Sequence, residues 1–226
     1  MAEKTATKKT ASENLSGFLT KYRVAILSIV CLAAVAAIGY SAAVLVMSKL
    51  SEKGLDQIDS ITYTLTNKSA DLSESELTAR RSAAMEKLAP LVKKGGVVGV
   101  RANMLAADLA FQSKDYKTSR TYWLAAAKAG RKSYTAPLAY YNAAVCSEEL
   151  NDPDSAVSYY EKSAAAPDFF EADHALFSLG RVKEGKQDFK GAAAAYQKLQ
   201  DKNSSDQWAQ LAKTRLLALR IAGSIQ

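Results

Sequence analysis

The chain has 226 residues and a formal net charge of +7, with 30 Lys and Arg against 23 Asp and Glu. One histidine and two cysteines exclude a His-rich zinc site and a disulfide framework. The positive excess is spread along the sequence, which is typical of a solvated surface rather than of a nucleic-acid-binding stripe. We therefore expect no metal, no cofactor and no nucleic acid partner.

The first element is an apolar run at residues 24–48, which contains no charged side chain. As a helix, residues 24–47 measure roughly 36 Å, against about 30 Å for the hydrocarbon core of a bilayer. The run therefore predicts one transmembrane helix at 24–47. A cleaved signal peptide is the alternative, because Ala34-Val35-Ala36 has the spacing of a cleavage site. The apolar core of a signal peptide is only about 7–15 residues long, however, which favours the uncleaved anchor.

The charges on the two sides of the run predict its orientation. The preceding tail, residues 1–23, holds two acidic residues and five basic ones, which are Lys4, Lys8, Lys9, Lys21 and Arg23. The stretch just beyond the run offers only Lys49, Lys53 and Lys68 as basic residues. This Lys and Arg bias predicts a cytoplasmic N-terminus and an exported C-terminal part.

The remaining sequence is rich in Ala, Leu, Lys, Glu and Gln, which predicts an all-α fold. Residues 48–73 are predicted to form a membrane-proximal helix or linker, and residues 74–226 a domain of helical repeats. Whether residues 48–94 form a degenerate repeat or only a stalk stays open at this point.

Local signals place the first helix of that domain. Ser73 and Glu76 have the spacing of a capping box, which predicts a helix start. Pro90 predicts a kink or an early stop near Ala89, and the Gly95-Gly96 pair predicts the end of the stretch.

An internal period is the decisive feature of the domain. The aromatic residues Trp123, Tyr160 and Tyr196 follow one another at spacings of 37 and 36 residues. A small residue on a first helix and another on a second helix precede each of them. These pairs are Ala107 with Ser119, Ala144 with Ala156, and Gly180 with Ala192. Tyr116 and Phe189 begin the second helix of the first and third copies, where the middle copy has Pro153.

These positions resemble the tetratricopeptide repeat (TPR), a helix–turn–helix unit of about 34 residues. Small residues let the two helices approach at the lower end of the usual range of about 8–10 Å, and the aromatic residues fill the space between hairpins. Stacked hairpins form a TPR-like α-solenoid with a concave surface. Residues 205–221, with Trp208 and Leu211 on one face, predict a capping helix.

Catalytic groupings are scarce in this sequence. A nucleophile pair of Cys146 and His174 is formally possible, but both fall on first helices at Ala-rich positions, where Cys commonly serves as a small core residue. The one glycine cluster is not followed by Lys-Ser or Lys-Thr, so a phosphate loop is not predicted. We expect a non-enzymatic domain, with an enzyme that uses Cys146 as the least favoured hypothesis.

Two surfaces are candidates for binding partners. Repeat solenoids bind peptides or proteins on the concave face through first-helix residues, and the candidate groove residues are Asn103, Tyr140, Tyr141 and Lys183. Within the apolar run, Ala33, Ala37 and Ser41 recur every four residues, a spacing that lets transmembrane helices pack closely. An Ala-rich anchor without a partner explains the same residues.

A basic tail, one span and an exported TPR domain together resemble a bacterial family of inner-membrane TPR proteins. Its members are ancillary subunits of the Sec translocon that associate with periplasmic chaperones. The resemblance implies a single-pass protein of the inner membrane with a periplasmic domain, whose partners are translocon subunits, exported polypeptides and periplasmic chaperones. The leading hypothesis is a membrane-tethered, chaperone-like adaptor for newly exported proteins. The alternative is a structural scaffold for an envelope complex, such as a cell-division or cell-wall complex, and the oligomeric state stays open.

Overall fold

The computed structural model describes residues 11–131, 133–202 and 205–226. Within these ranges the chain forms helices and no strand, which confirms the predicted all-α class. Lys4, Lys8 and Lys9, which contribute to the predicted orientation, lie outside the described residues. The helices are α1 (Ala11–Thr66), α2 (Glu74–Leu88), α3 (Gly96–Gln112), α4 (Tyr116–Ala129), α5 (Thr135–Glu149), α6 (Pro153–Ala164), α7 (Ala172–Gly185), α8 (Phe189–Lys202) and α9 (Gln207–Ile221), with a 3-10 turn at Ser69–Asp71.

Two compact units divide the chain, residues 1–52 and residues 53–226. In the first unit, α1 is one uninterrupted helix that begins at Ala11, so part of the predicted tail is helical. Its apolar side chains are exposed, with Val24 at 71% and Leu32 at 75%. Among the described residues, α1 is the one helix long and apolar enough to cross a membrane.

The second unit begins within α1, before the predicted domain start at residue 74. Ile58 and Ile61 are buried in a cluster with Leu88 of α2 and Val98 of α3. Gly54 lies so close to α3 that an added Cβ atom would stand 2.8 Å from a methyl group of Val98. The C-terminal part of α1, from Lys53 onward, is therefore an integral part of this unit's core.

Local signals around α2 are mostly as predicted. Ser73 and Glu76 form the capping box, in which the Ser73 amide donates to Glu76 Oε2 at 2.8 Å. The helix ends at Leu88, just before Pro90. The prediction for the glycine pair was wrong, because Gly95 and Gly96 open α3 rather than end α2. Gly96 has a φ of 63°, which an L side chain adopts only with strain.

Three hairpins follow, α3–α4, α5–α6 and α7–α8, and α9 packs on the last of them. The turn inside each hairpin is the same: a residue with positive φ (Lys114, Asn151 or Gln187) precedes an aspartate. Each aspartate accepts a backbone hydrogen bond from the first turn of the second helix, as Asp115 does from Thr118 at 3.1 Å. Hydrogen bonds from the side chain and then the backbone of Thr118 hold the pKa of Asp115 below its usual value. The repeated turn sets the same register in all three hairpins.

The predicted packing residues meet at the helix crossings. The six small residues are all buried, and Ser119 Oγ donates to the carbonyl of Ala107 at 2.8 Å. Tyr160 and Tyr196 are fully buried and Trp123 nearly so, whereas Tyr116 and Phe189 are half-buried. The crossing of α7 and α8 is tight, because a Cβ atom on Gly180 would lie 2.4 Å from the ring of Tyr196.

We predict that Gly180→Ala destabilises the second unit by about 1–3 kcal/mol, because the added methyl group overpacks a buried ring. Gly185→Ala is the matched control on the same helix, since nothing lies within 4 Å of its added Cβ atom. The control should be neutral or slightly stabilising, because Ala has the better helix propensity. Chemical denaturation of the full chain in detergent measures both. Equal stability of the two variants would contradict a tight crossing.

Candidate functional site

The candidate site lies where the first helices of successive hairpins, α5 and α7, stand beside α9. We call this surface the first-helix face. Tyr141 of α5 and Phe177 of α7 stand at the repeat interval of 36 residues, and Trp208 of α9 stacks on His174 of α7. These side chains come together although they are far apart in sequence.

Four of these side chains form an aromatic cluster, which comprises Tyr141, His174, Phe177 and Trp208. The His174 imidazole stacks on the Trp208 indole, with centroids 3.9 Å apart and planes inclined by 7°. The Tyr141 hydroxyl lies 2.9 Å from His174 Nδ1, and the Phe177 ring lies 5.5 Å from that of Trp208. The Glu171 carboxylate stands 3.2 Å from the same Nδ1. The cluster thus joins three helices through one imidazole.

A cleft of about 340 Å³ opens beside the cluster. Its walls combine aromatic rings with charged groups: Arg181 and Glu148 line it together with His174 and Trp208. Such a mixture suits an extended polypeptide, whose apolar side chains pack on the rings while its backbone bonds to the polar groups.

Two Tyr–Glu–Arg triads frame the cluster. In the first, the Tyr160 hydroxyl donates to Glu148 Oε1 at 2.7 Å, and Arg181 donates to the same oxygen at 2.6 Å. Burial raises the pKa of Tyr160, so the phenol stays protonated. The second triad repeats the arrangement one hairpin later and consists of Tyr196, Glu184 and Arg215. Burial likewise raises the pKa of Tyr196 to about 12.

Of the four predicted groove residues, Tyr141 belongs to the aromatic cluster. Tyr140 instead stacks on Tyr159 of α6, with centroids 6.4 Å apart. Lys183 of α7 donates to Glu161 of α6 at 3.0 Å. Neither of these two lies in the cleft.

The structure corrects the assignment of Asn103. This residue is 2% exposed, and its amide donates to the carbonyls of Val92 and Gly99 at 2.8 and 2.7 Å. Its side chain is used to hold the connection before α3 against that helix, so it is not a groove residue.

Sequence reasoning missed His174, Phe177, Arg181 and Trp208 as members of one surface. Their signal was present in the period: Tyr141 and Phe177 stand 36 residues apart, as do Tyr160 and Tyr196. Projecting Tyr141 through the repeat finds Phe177 directly. The stack of His174 on Trp208 needed the register of α9, which the three hairpin copies do not provide.

The geometry speaks against a nucleophile at Cys146. This residue is fully buried, and its thiol donates to Ser119 Oγ of α4 at 3.2 Å, whereas His174 bonds to Tyr141 and Glu171. Burial raises the pKa of the Cys146 thiol, which favours the unreactive neutral form. Within the described ranges, no cluster of His, Cys, Asp and Glu could hold a metal ion.

The small residues of the apolar run lie on an exposed face of α1. The Ser41 hydroxyl donates to the carbonyl of Ala37 at 2.8 Å, so its polar group is satisfied within the helix. Ala33 lies one turn earlier on the same side. Gly39 next to them has no atom within 4 Å of an added Cβ atom, which leaves open space there.

A second cleft, of about 430 Å³, lies at the N-terminal end of the repeats between α1, α2 and α3. Asp108 lines it beside Leu65 and Leu105, and desolvation there raises the pKa of its carboxyl to about 6. The nearby Arg80 is engaged elsewhere, since it donates to the carbonyls of Thr64 and Asn67 at 3.0 and 2.7 Å.

Comparison with known proteins agrees with the repeat pattern. No family model matches the chain. Over 141 residues the chain is 32% identical to a TPR repeat-containing protein of Treponema pallidum (strain Nichols), an alignment that covers 62% of this chain and 59% of the relative. The chain is a homologue of a TPR protein. It spans less than two thirds of that relative's length.

Among solved structures, the crystal structure of a Rap protein complexed with competence and sporulation factor matches with a TM-score of 0.47 and 22% sequence identity. That match covers 62% of this chain and 40% of the other.

We predict a pH-dependent effect of Asp108→Asn. The folded state holds the Asp108 proton up to about pH 6, whereas the unfolded chain releases it near pH 3.8. The wild type therefore loses stability relative to the variant as the pH rises from about 4 to 6, and the difference is constant above that range. We expect a gain of less than about 1 kcal/mol for the variant at neutral pH, because the Asp108 side chain is exposed and water screens much of the effect.

Denaturant titrations at several pH values measure this difference. Asp56→Asn, at an exposed position, corrects for the loss of one negative charge. A gain for Asp108→Asn that is independent of pH would contradict the assigned titration.

Proposed function

We propose that the protein is a membrane-tethered, non-enzymatic adaptor that binds extended segments of partner proteins on the first-helix face. The aromatic cluster around His174 carries this proposal. It presents apolar rings beside the paired charges of Arg181 and Glu148, and it belongs to three helices at once. A surface built from repeats is suited to a chain-like ligand, because each hairpin contributes one equivalent position.

The tether supplies the second half of the proposal. With the apolar run in a bilayer, the first-helix face is tethered to the membrane by the chain itself, which raises its effective concentration toward ligands that emerge there. The bias of basic residues toward the N-terminus supports a cytoplasmic tail and a periplasmic second unit.

The resemblance in architecture to ancillary Sec translocon subunits supports a finer version. In this version the protein lies in the bacterial inner membrane near the translocon exit. There it receives newly exported polypeptides together with periplasmic chaperones. The buried, neutral thiol of Cys146 fits a binding role rather than catalysis.

A photo-crosslinking amino acid placed at Phe177 or at Leu211 tests the binding face in intact cells. Leu211 is 48% exposed and lies about one helical turn after Trp208 on α9. We expect crosslinks to exported polypeptides at both positions and their loss when export is blocked. Lys198, exposed on the second helix α8, is the control position and should give none.

Two outcomes would contradict the adaptor. Crosslinks at Phe177 and Leu211 no stronger than at Lys198 would remove the binding face. A fixed set of envelope proteins, unchanged when export is blocked, would support the structural scaffold instead.

The small-residue face of α1 generates a separate prediction. Replacing Ala33, Ala37 and Ser41 together by Leu should abolish co-purification with translocon subunits, because bulk prevents close helix packing. The matched control replaces Ser28, Cys31 and Ala42 by Leu. These residues lie on the other side of the helix at 100° per residue. Both triple variants stay apolar, so insertion should be unchanged. Equal co-purification of the two would exclude this face as the contact.

A further inference from the structure

A second surface of the repeat unit lies at the edge where the chain enters it. We define the entry edge as the α2–α3 connection with the first turn of α3, residues 89–99, and the described residues of the α4–α5 connection, 128–131 and 133–135. Gly54, at the start of the second unit, lies against Val98 at this edge. The predicted span ends at Met47, and only five residues separate it from Lys53.

The entry edge is basic. Lys93, Lys94, Lys128 and Arg131 are all exposed there. Within the part of the chain that the structure describes, none of them makes an ion pair. The sequence between Lys87 and Asp108 contains no acidic residue, and neither does the sequence between Asp115 and Glu148. The two connections therefore carry positive charge with no acidic residue of their own, and Asp168 lines a neighbouring cleft together with Arg131.

The same edge exposes apolar and aromatic side chains. Tyr134 is 84% exposed and Val97 is 52% exposed. Between them opens a cleft of about 650 Å³, whose walls include Val100, Met104 and Leu138. Residues of both connections line this largely apolar cleft, together with Arg101, which is paired with Asp59.

The opposite edge differs in charge. The turns inside the hairpins lie there, and each of them carries a capping aspartate, Asp115, Asp152 or Asp188. Two cations near these turns are paired, Arg120 with Asp152 at 2.7 Å and Lys186 with Asp154. Lys114, Lys117 and Lys190 are exposed there, each within two residues of a capping aspartate. The aspartates therefore offset part of the positive charge at this edge, whereas the two connections of the entry edge contain no acidic residue.

We infer that the entry edge binds an anionic lipid surface. Each Lys or Arg near such a surface favours the bound state by about fivefold, and Tyr favours the headgroup region. An apolar recess beside the cations accommodates acyl-chain carbons. The short link to the span holds lipid at a high effective concentration, so that individually weak contacts suffice. This inference concerns a surface distinct from the first-helix face and goes beyond the proposed function.

A lipid-depth measurement on the full chain tests it. An environment-sensitive fluorophore is attached at Tyr134→Cys in a Cys31→Ala background, where the buried Cys146 is protected from labelling. The protein is reconstituted into phosphatidylcholine vesicles that contain phosphatidylglycerol and a headgroup-labelled quencher lipid. A label at Lys117→Cys, in the first turn of α4 at the opposite edge, is the control.

We expect strong quenching at position 134 and little at position 117. High salt, or vesicles without phosphatidylglycerol, should remove most of the difference, because screening or loss of the anionic charge weakens the attraction. Charge reversal of the edge, Lys93→Glu, Lys94→Glu, Lys128→Glu and Arg131→Glu together, should lower the quenching by about tenfold or more.

The matched variant reverses four exposed cations outside this edge, namely Lys117, Lys190, Lys198 and Lys213. It has the same net charge and should keep the quenching. Circular dichroism of both variants checks that the helices are retained. Equal quenching at positions 134 and 117 would overturn the inference. Equal loss of quenching in the two charge-reversed variants would also overturn it. The same holds if the edge variant keeps its lipid contact but no longer binds a partner protein, because the edge would then be a protein-binding surface.

Discussion

The close approach of paired helices is the constraint on which the repeat unit depends. A side chain larger than Ala or Ser at these crossings would separate the helices, and at Gly180 even a methyl group meets the ring of Tyr196. Close approach is what brings Tyr160 and Tyr196 within reach of the glutamates on the helices before them. Each glutamate in turn holds an arginine of the next first helix. The polar links between hairpins therefore depend on the close spacing of the paired helices.

The polar links also shape the binding surface. Glu148 and Glu184 are charged groups near the aromatic cluster, and their arginines satisfy them without covering the rings. Arg181 is about half exposed while it is paired. A ligand therefore meets charges that are already oriented, which lowers the cost of ordering them on binding.

The sequence predicts features that depend on local chemistry or on a repeated interval. The capping box at Ser73, the stop before Pro90 and the crossings at Ala144 and Gly180 are of this kind. It fails where a residue's role depends on packing from outside its own repeat. Asn103 has a first-helix position, yet its amide is used by the carbonyls of a preceding connection. His174 looked isolated as the one histidine, because its partner Trp208 lies on a helix outside the three copies.

The His174–Trp208 stack has a thermodynamic consequence. Repeat arrays are stabilised by contacts between neighbours, so their terminal elements fray first. In this chain the stack is part of what holds α9 to the preceding hairpin, and it also lines the cleft of the proposed binding surface. If that cleft binds a ligand as proposed, binding and fraying of α9 are linked equilibria: occupancy would suppress the open state, and fraying would weaken affinity. Ligand binding and local stability would therefore be coupled at the end of the array that carries the aromatic cluster.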